Sequence, residues 1–499
     1  MARCIMVQGT MSGAGKSLLA AALCRIFRQD GWRVAPFKGQ NMALNSYITR
    51  DGLEMGRAQV VQAQAAGIEP DVRMNPVLLK PSSDTGSQLI VLGEVRGQYE
   101  ASRYFQMKKS LLPEVLEAYR SLAAEYDIIV IEGAGSPAEI NLREEDSFVN
   151  MGLAELVDAP VLLVGDIDRG GVFAQLYGTV ALLEERERQR IAGTVVNKFR
   201  GDPALLDPGL VMLEEKTGIP VLGVIPYTRV DIDDEDSLAP RLEETQAHRP
   251  VDVAVIRLPR MSNFTDFSPL ESHPALGVRY VDKAAALGAP DLIVLPGTKS
   301  TMDDLSWMRQ NGLEAAVRKL AAGGTPVLGV CGGYQMLGEN LSDPEGVERG
   351  GTLRGMGLLP CDTDFEPQKT RTRVAASVLA EPFAGAALEG YEIHMGRTRR
   401  KGGTSFCRLP DGQEDGTAQG LVFGTYLHGL FDSGELTGRL AAWLLERKGL
   451  SPGDGGAVES HQAYQNRQYD LLADAVRAHL DMEAVYAAME RFGGKGRTG

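Results

Sequence analysis

The 499-residue sequence has few cysteines and no long apolar run. Its five cysteines form no Cys-x-x-Cys pair, which argues against a zinc ribbon or a disulfide framework and is typical of a reduced intracellular protein. No apolar stretch approaches the ~18 residues of a membrane-spanning helix. The chain also enters a β-like run directly after Arg3, without the apolar core of a signal peptide. We therefore expect a cytoplasmic protein with no membrane partner.

Positive charge is also in short supply. Lysine and arginine number 52 against 66 aspartates and glutamates, a formal net charge of −14. An excess of negative charge argues against a nucleic-acid-binding surface, although it still permits a local basic pocket for a phosphate. Small-molecule substrates are thus the expected partners, and a homo-oligomer is left open.

The chain is long enough for two to four domains at about 150 residues each. Short apolar runs alternate with helical periods, which predicts a parallel α/β fold. An acidic stretch without strand character begins near Asp231, and a second α/β series follows it. We therefore predict an N-terminal α/β domain over residues 1–235, a linker over 236–250, a second α/β domain over 251–450 and a helical segment over 451–499 packed on the second domain. The predicted strands of the first domain are Cys4–Gln8, Arg33–Phe37, Ile128–Ile131, Pro160–Val164, Ile191–Asn197 and Val221–Ile225, and those of the second are Val251–Arg257, Leu292–Leu295, Val327–Val330 and Gly420–Thr425.

A glycine-rich loop follows the first predicted strand and opens a helix. Its Gly13 and Gly15 allow backbone N–H groups to surround phosphate oxygens at the positive end of the helix dipole. Lys16 adds charge for the outer phosphates, and the Ser17 hydroxyl suits Mg²⁺. Gly9 lies one residue earlier than in the usual G-x4-G-K-[ST] spacing. This variant is similar to the loop of dethiobiotin synthetase-like enzymes, and we predict ATP and Mg²⁺ binding here.

Three polar residues lie at the ends of predicted strands of the first domain. Glu132 follows Ile128–Ile131 at the strand edge where open α/β sheets bind ligands, and its carboxylate is a candidate Mg²⁺ ligand. Lys38 ends the second strand and is a candidate phosphate contact. Asn197 ends the fifth strand, where its amide is suited to recognise a purine edge.

The second half contains a cysteine elbow. Cys331 stands between a buried strand and a helix in the sequence Gly-Val-Cys-Gly-Gly, where glycines permit the sharp turn that exposes a nucleophile. The helix N-terminus favours a thiolate, and the Gly332 N–H is a candidate oxyanion donor. Gly297, after Leu292–Leu295, is the second candidate donor. His428 ends a later strand and is the candidate base.

Together these motifs resemble the cobyric acid synthase family, in which a class I glutamine amidotransferase domain is fused to a dethiobiotin synthetase-like P-loop domain. The resemblance covers nearly the whole chain. It rests, besides the Cys331 elbow, on residues 7–17 (VQGTMSGAGKS), 36–46 (PFKGQNMALNS), 75–81 (NPVLLKP), 131–142 (IEGAGSPAEINL), 262–267 (SNFTDF), 295–301 (LPGTKST) and 391–396 (YEIHMG).

The resemblance implies glutamine- and ATP-dependent amidation of side chains b, d, e and g of adenosylcobyrinic acid a,c-diamide. Glutamine and a corrinoid are then the substrates, and ammonia released at Cys331 attacks an acyl phosphate made at the P-loop. Asp146 is a candidate for binding the substrate or intermediate, with a helix-start aspartate as the alternative. The wider class has a glutamate two residues after the histidine, but Leu430 stands there in this chain. What orients His428, and what His394 does, therefore stay open.

Three alternatives are weighed against this interpretation. Cobyrinic acid a,c-diamide synthase has the same architecture and acts one stage earlier, but residues 36–46 and 75–81 favour cobyric acid synthase. CTP synthase shares the domain plan without these motifs. A partition-type ATPase switch would account for the first half but gives Cys331 no role.

Overall fold

The computed structural model describes residues 2–81, 86–141, 148–232, 249–451 and 461–493. The chain forms two compact units. The first contains Met1–Ala43, Met55–Ile232 and Gln465–Gly499, and the second contains Leu44–Glu54 and Asp233–Tyr464. Among the helices in these ranges, none is both long and apolar enough to cross a bilayer.

A six-stranded parallel sheet forms the centre of the first unit. Its strands are short runs rich in valine and isoleucine, as expected for strands covered on both faces. All six predicted strands are present, with ends shifted by one or two residues. In spatial order they are Val221–Pro226, Ile191–Phe199, Val161–Asp166, Arg3–Gly9, Ile128–Glu132 and Val34–Phe37.

A four-stranded sheet of the first unit was not predicted. The hairpin of its last two strands turns at Leu92 and Gly93, both with positive φ (47° and 81°), as a tight two-residue turn requires. Its strands are Gln40–Met42, Val77–Pro81, Gly86–Val91 and Glu94–Glu100. The helices of this unit are Lys16–Gln29, Arg57–Ala66, Ala101–Lys108, Leu112–Glu125, Met151–Leu156, Val172–Leu182, Glu185–Arg188, Asp207–Thr217, most of His461–Arg477, and Met482–Gly493, with 3-10 turns at Val72–Met74, Lys109–Leu111 and Pro203–Leu205.

The described residues of the second unit form two large sheets. The first has five parallel strands and one antiparallel edge strand, and in spatial order it runs Leu276–Val281, Val251–Ile256, Leu292–Leu295, Val327–Val330, Val422–Thr425 and Thr417–Gln419. The second is built on a long hairpin and contains Gly351–Arg354, Asn340–Asp343, Cys361–Val378, Ala387–Arg400, Leu427–His428, Cys407–Arg408 and Glu414–Asp415. The helices are Ser268–Ser272, Ala284–Leu287, Thr301–Gln310, Leu313–Ala322, Gly332–Leu337 and Glu435–Arg447, with a 3-10 turn at Phe264–Phe267.

The C-terminal helices pack on the first unit, which corrects the prediction that residues 451–499 pack on the second domain. Leu472, Val476 and Met489 are buried in one cluster with the helix Lys16–Gln29. Asp470 also accepts two hydrogen bonds from Arg25, at 2.7 and 2.9 Å. The apolar face of an amphipathic helix predicts burial but not the surface that covers it.

The segment Leu44–Glu54 corrects the predicted continuity of residues 1–235, because it belongs to the second unit. It contains the short strand Ser46–Ile48. Ile48 is completely buried in a cluster with Tyr391 and Ile393 of the second unit. The chain therefore leaves the first unit after Ala43 and returns to it at Met55.

Candidate functional site

The phosphate-binding loop lies between the strand Arg3–Gly9 and the helix Lys16–Gln29, as predicted. Gly15 has a φ of 95°, which glycine adopts at no steric cost. A Cβ at Gly15 would lie 2.1 Å from the Asn197 amide nitrogen, so a side chain is excluded there. The Lys16 ammonium donates to the carbonyl of Met11 at 3.1 Å, which bends the side chain back over its own loop.

Asn197 and Lys198 hold this loop from the strand Ile191–Phe199, which lies two strands away from Arg3–Gly9 in the sheet. The Asn197 amide donates to the carbonyl of Ala14 at 2.9 Å, and Lys198 donates to the carbonyl of Gly13 at 2.6 Å. Lys198 also pairs with Asp166 at 2.9 Å. The structure thus gives Asn197 a contact with the loop backbone, and its recognition of a purine stays a prediction. Asp166 and Lys198 were missed by the sequence analysis.

Glu132 is the centre of a buried polar cluster. Its carboxylate accepts hydrogen bonds from Ser17 Oγ at 2.8 Å, Lys38 Nζ at 2.9 Å and Gln62 Nε2 at 2.6 Å. Gln59 lies 3.4 Å from the same carboxylate. Burial alone would raise the pKa of Glu132, but the charge of Lys38 and these hydrogen bonds bring it below its ordinary value. The carboxylate is therefore ionised, and the phosphate contact predicted for Lys38 stays a prediction.

The Ser17 hydroxyl and the Glu132 carboxylate fit a magnesium ion. Both are oxygen ligands of the type that Mg²⁺ prefers, and they lie within hydrogen-bond distance of each other at the edge of the phosphate-binding loop. Asp146, the candidate substrate contact, falls outside the described residues.

The Cys331 elbow lies between the strand Val327–Val330 and the helix Gly332–Leu337. Cys331 has a φ of 52°, a conformation that costs energy for a residue with a side chain and that recurs at nucleophile turns. Its thiol lies 3.6 Å from the carbonyl oxygen of Ile393. The backbone is thus bent at the residue predicted to be the nucleophile.

The imidazole of His428 lies between Cys331 and Asp266. His428 Nδ1 donates to Asp266 Oδ2 at 2.6 Å, and the Gly429 N–H donates to Asp266 Oδ1 at 3.0 Å. Burial alone would lower the pKa of His428, but the negative charges of Asp266 and of a Cys331 thiolate, with hydrogen bonds to both, raise it to about 10. The hydrogen bond to Asp266 therefore favours the protonated form of His428.

Asp266 is the residue that the sequence analysis missed. It lies in a 3-10 turn, Phe264–Phe267, and is 3% exposed, so its carboxylate is held where a buried histidine can use it. The motif at 262–267 contained this residue, but His428 is 162 positions away in sequence. Asp266 contacts His428 in place of the glutamate that the wider class has two residues after the histidine, where this chain has Leu430.

The candidate oxyanion donors lie against this site. A Cβ at Gly297 would approach His428 Cε1 to 2.9 Å, and a Cβ at Gly332 would lie 3.0 Å from the Thr298 nitrogen. The Thr298 hydroxyl donates to Asp304 at 2.5 Å, which holds the turn after Gly297. The structure thus brings both glycines to the nucleophile, and their donation to an oxyanion stays a prediction.

His394 contacts Tyr426, Gly396 and Glu392. Its ring stacks on Tyr426 with the ring centroids 3.7 Å apart. His394 Nδ1 donates to the carbonyl of Gly396 at 2.7 Å, and its other ring nitrogen lies 3.7 Å from Glu392. These contacts fix the orientation of the His394 ring.

Two family models match this chain, and each covers one of the two sites. Residues 5–238 match the CobQ/CobB/MinD/ParA nucleotide binding domain, and residues 252–436 match the CobB/CobQ-like glutamine amidotransferase domain. A cobyric acid synthase of Ruminiclostridium cellulolyticum is 56% identical, with 98% of each chain covered. Those of Lachnoclostridium phytofermentans and Salmonella typhimurium are 54% and 50% identical, covering 98% of this chain and 99% of each relative.

Proposed function

Because this chain belongs to the cobyric acid synthase family, we propose that it amidates carboxylates b, d, e and g of adenosylcobyrinic acid a,c-diamide. It is a glutamine amidotransferase ligase of cobalamin biosynthesis. The single observation that supports the proposed reaction is that one chain carries two clusters, Ser17 with Glu132 beside a glycine-rich loop and His428 with Asp266 beside a cysteine elbow.

Glutamine is hydrolysed at the second-unit site in this proposal. The Cys331 thiolate attacks the side-chain carbonyl of glutamine, and the oxyanion that forms faces the backbone N–H groups of Gly297 and Gly332. The imidazolium of His428 gives its proton to the leaving ammonia while Asp266 holds the ring in place. Water then attacks the thioester, and His428 takes a proton from that water. Glutamate is released, and the Cys331 thiolate is regenerated.

The first unit activates the acceptor in this proposal. A carboxylate is a poor electrophile, and its phosphorylation by ATP gives an acyl phosphate that ammonia attacks. Lys16 places positive charge beside the transferred phosphoryl group, and Ser17 and Glu132 would hold Mg²⁺. When bound, Mg²⁺ supplies charge that offsets the negative phosphates. Lys38, Gln59 and Gln62 fix the Glu132 carboxylate for that role.

The reaction is proposed to take place in the cytoplasm. All five cysteines are free thiols and are buried, which suits a reducing compartment.

Turnover of candidate corrinoids tests the proposal. The protein is incubated with ATP, Mg²⁺, glutamine and either cobyrinic acid or its a,c-diamide. The masses of the products are then measured by mass spectrometry. We expect the a,c-diamide to gain four amides, with about one glutamine and one ATP consumed for each. An untouched a,c-diamide beside cobyrinic acid that gains two amides would assign the chain to the earlier synthase instead.

A further inference from the structure

We propose that Asn45, on the segment Leu44–Glu54, is a positioning residue of the glutaminase site. This inference rests on the function proposed above, because it assigns a residue to glutamine hydrolysis by Cys331 and His428. The segment lies outside residues 252–436, the range that matches the amidotransferase domain, yet it belongs to the second unit.

Asn45 reaches the turn that carries Asp266. The Asn45 side-chain oxygen accepts a hydrogen bond from the Asn263 backbone N–H at 2.8 Å, and Asn263 immediately precedes the 3-10 turn Phe264–Phe267. Asn263 has a φ of 53°, and asparagine is among the few residues that tolerate this conformation. The Asn45 side chain therefore holds the residue immediately before the turn on which Asp266 lies.

The same segment also reaches His428 through Tyr391. The Tyr391 hydroxyl donates to the Ser46 carbonyl at 3.3 Å and accepts from the Asn263 amide at 3.0 Å. The Tyr391 ring in turn stacks on the His428 ring, with centroids 5.4 Å apart and planes 20° from parallel. Asn45 and Ser46 thus fix both partners of the Asp266–His428 hydrogen bond.

Two anchors fix the segment itself. Glu54 pairs with Lys369 at 2.6 Å, and both side chains are buried. Tyr47 packs edge-to-face on Tyr391 at 5.6 Å, while Ile48 is completely buried. A rigidly held segment can position a catalytic pair, because a hydrogen bond of 2.6 Å tolerates little displacement of either partner.

The test uses glutamine hydrolysis by the full chain. We expect Asn45→Ala to lower kcat about tenfold, with KM for glutamine within about twofold, because glutamine binding is unaffected while the His428–Asp266 pair loses its support. The alkaline limb of the pH profile should move to lower pH, since a misaligned Asp266 raises the pKa of His428 less. Asn45→Asp keeps the acceptor oxygen and should restore most of the rate.

Asp51→Asn is the matched control, because Asp51 is exposed on the same segment. We expect this variant to hydrolyse glutamine like the wild type. Tyr391→Phe removes one oxygen atom and keeps the ring, so it tests the same network if Asn45→Ala fails to fold. We expect a loss of about threefold to tenfold from it, and a double variant that loses less than the product of the two.

An unchanged kcat and pH profile in Asn45→Ala, or in Tyr391→Phe where the first variant does not fold, would overturn the inference. Because each variant is compared with an active wild type, that result leaves the proposed function standing. A wild type that does not hydrolyse glutamine, or a Cys331→Ser variant that does, would instead overturn the proposed function.

Discussion

Each unit has a buried carboxylate at the centre of its site, and the partners of these two carboxylates differ. Glu132, 1% exposed, faces a lysine, a hydroxyl and side-chain amides, of which the lysine carries a fixed positive charge. Asp266, 3% exposed, faces a backbone N–H and a titratable imidazole. A carboxylate held ionised by fixed donors suits a metal ion, whereas one bonded to an imidazole controls where a proton resides. The comparison implies that substitutions can separate the activation of the acceptor carboxylate in the first unit from the release of ammonia in the second.

The largest expected effect comes from Cys331→Ser. This change should abolish glutamine-supported amidation, by several orders of magnitude or on the order of 4 kcal/mol in the barrier. Ammonium salts should still support much of the reaction, because the thiol only releases ammonia. Amide formation is measured by mass spectrometry with each nitrogen source in parallel. Glutamine use at near wild-type rates would refute the assignment of the elbow.

Changes at the first-unit site should fail with both nitrogen sources. Lys16→Ala removes the charge beside the phosphates, and Glu132→Gln removes the proposed Mg²⁺ ligand, so each should cost at least about 100-fold in amidation. Glu132→Gln also leaves the Lys38 ammonium without its buried counter-charge. Thermal unfolding of each variant therefore accompanies the assay, and normal ammonium-supported turnover in a folded variant would contradict the site.

Asp266→Asn should have an intermediate effect on glutamine hydrolysis alone. The amide cannot stabilise the His428 imidazolium, so kcat should fall about 10- to 100-fold. His428 acts as an acid only while protonated, and its pKa of about 10 keeps it so through neutral pH. Without the charge of Asp266 that pKa falls, and the alkaline limb of the rate profile should move to lower pH. A profile that keeps its alkaline limb would show that Asp266 does not set the charge of His428.

Features that depend on local sequence patterns could be predicted, whereas features that depend on contacts between distant residues could not. The six strands of the first sheet, the phosphate-binding loop and the Cys331 elbow each lie within one short run of sequence, where turn and strand chemistry is explicit. Asp266 and the segment Leu44–Glu54 could not be predicted, because each acts on residues that only the folded chain brings near. One sequence contains no measure of such contacts.

The surface covered by the C-terminal helices was mispredicted for a related reason. Tyr469, Leu472, Ala473 and Val476 form an apolar face at helical spacing, and such a face fits any apolar surface of suitable shape. Arg25 did not indicate a contact with the C-terminal helices, because a lysine or arginine on a helix is usually solvated. The surface that these helices cover is set by their packing in the folded first unit, including the packing against the helix Lys16–Gln29.

The smallest expected effect concerns this packing. Asp470→Asn weakens the pair with Arg25, whose side chain is 10% exposed against 45% for Asp470, so the loss in unfolding free energy should be about 1 kcal/mol. Because both residues belong to the first unit, thermal unfolding should shift while glutamine hydrolysis stays at the wild-type rate. Asp474→Asn makes the same charge change at an exposed position of the same helix and should leave the unfolding temperature unchanged. Equal shifts in the two variants would mean that the loss of charge, and not the contact with Arg25, changes the stability.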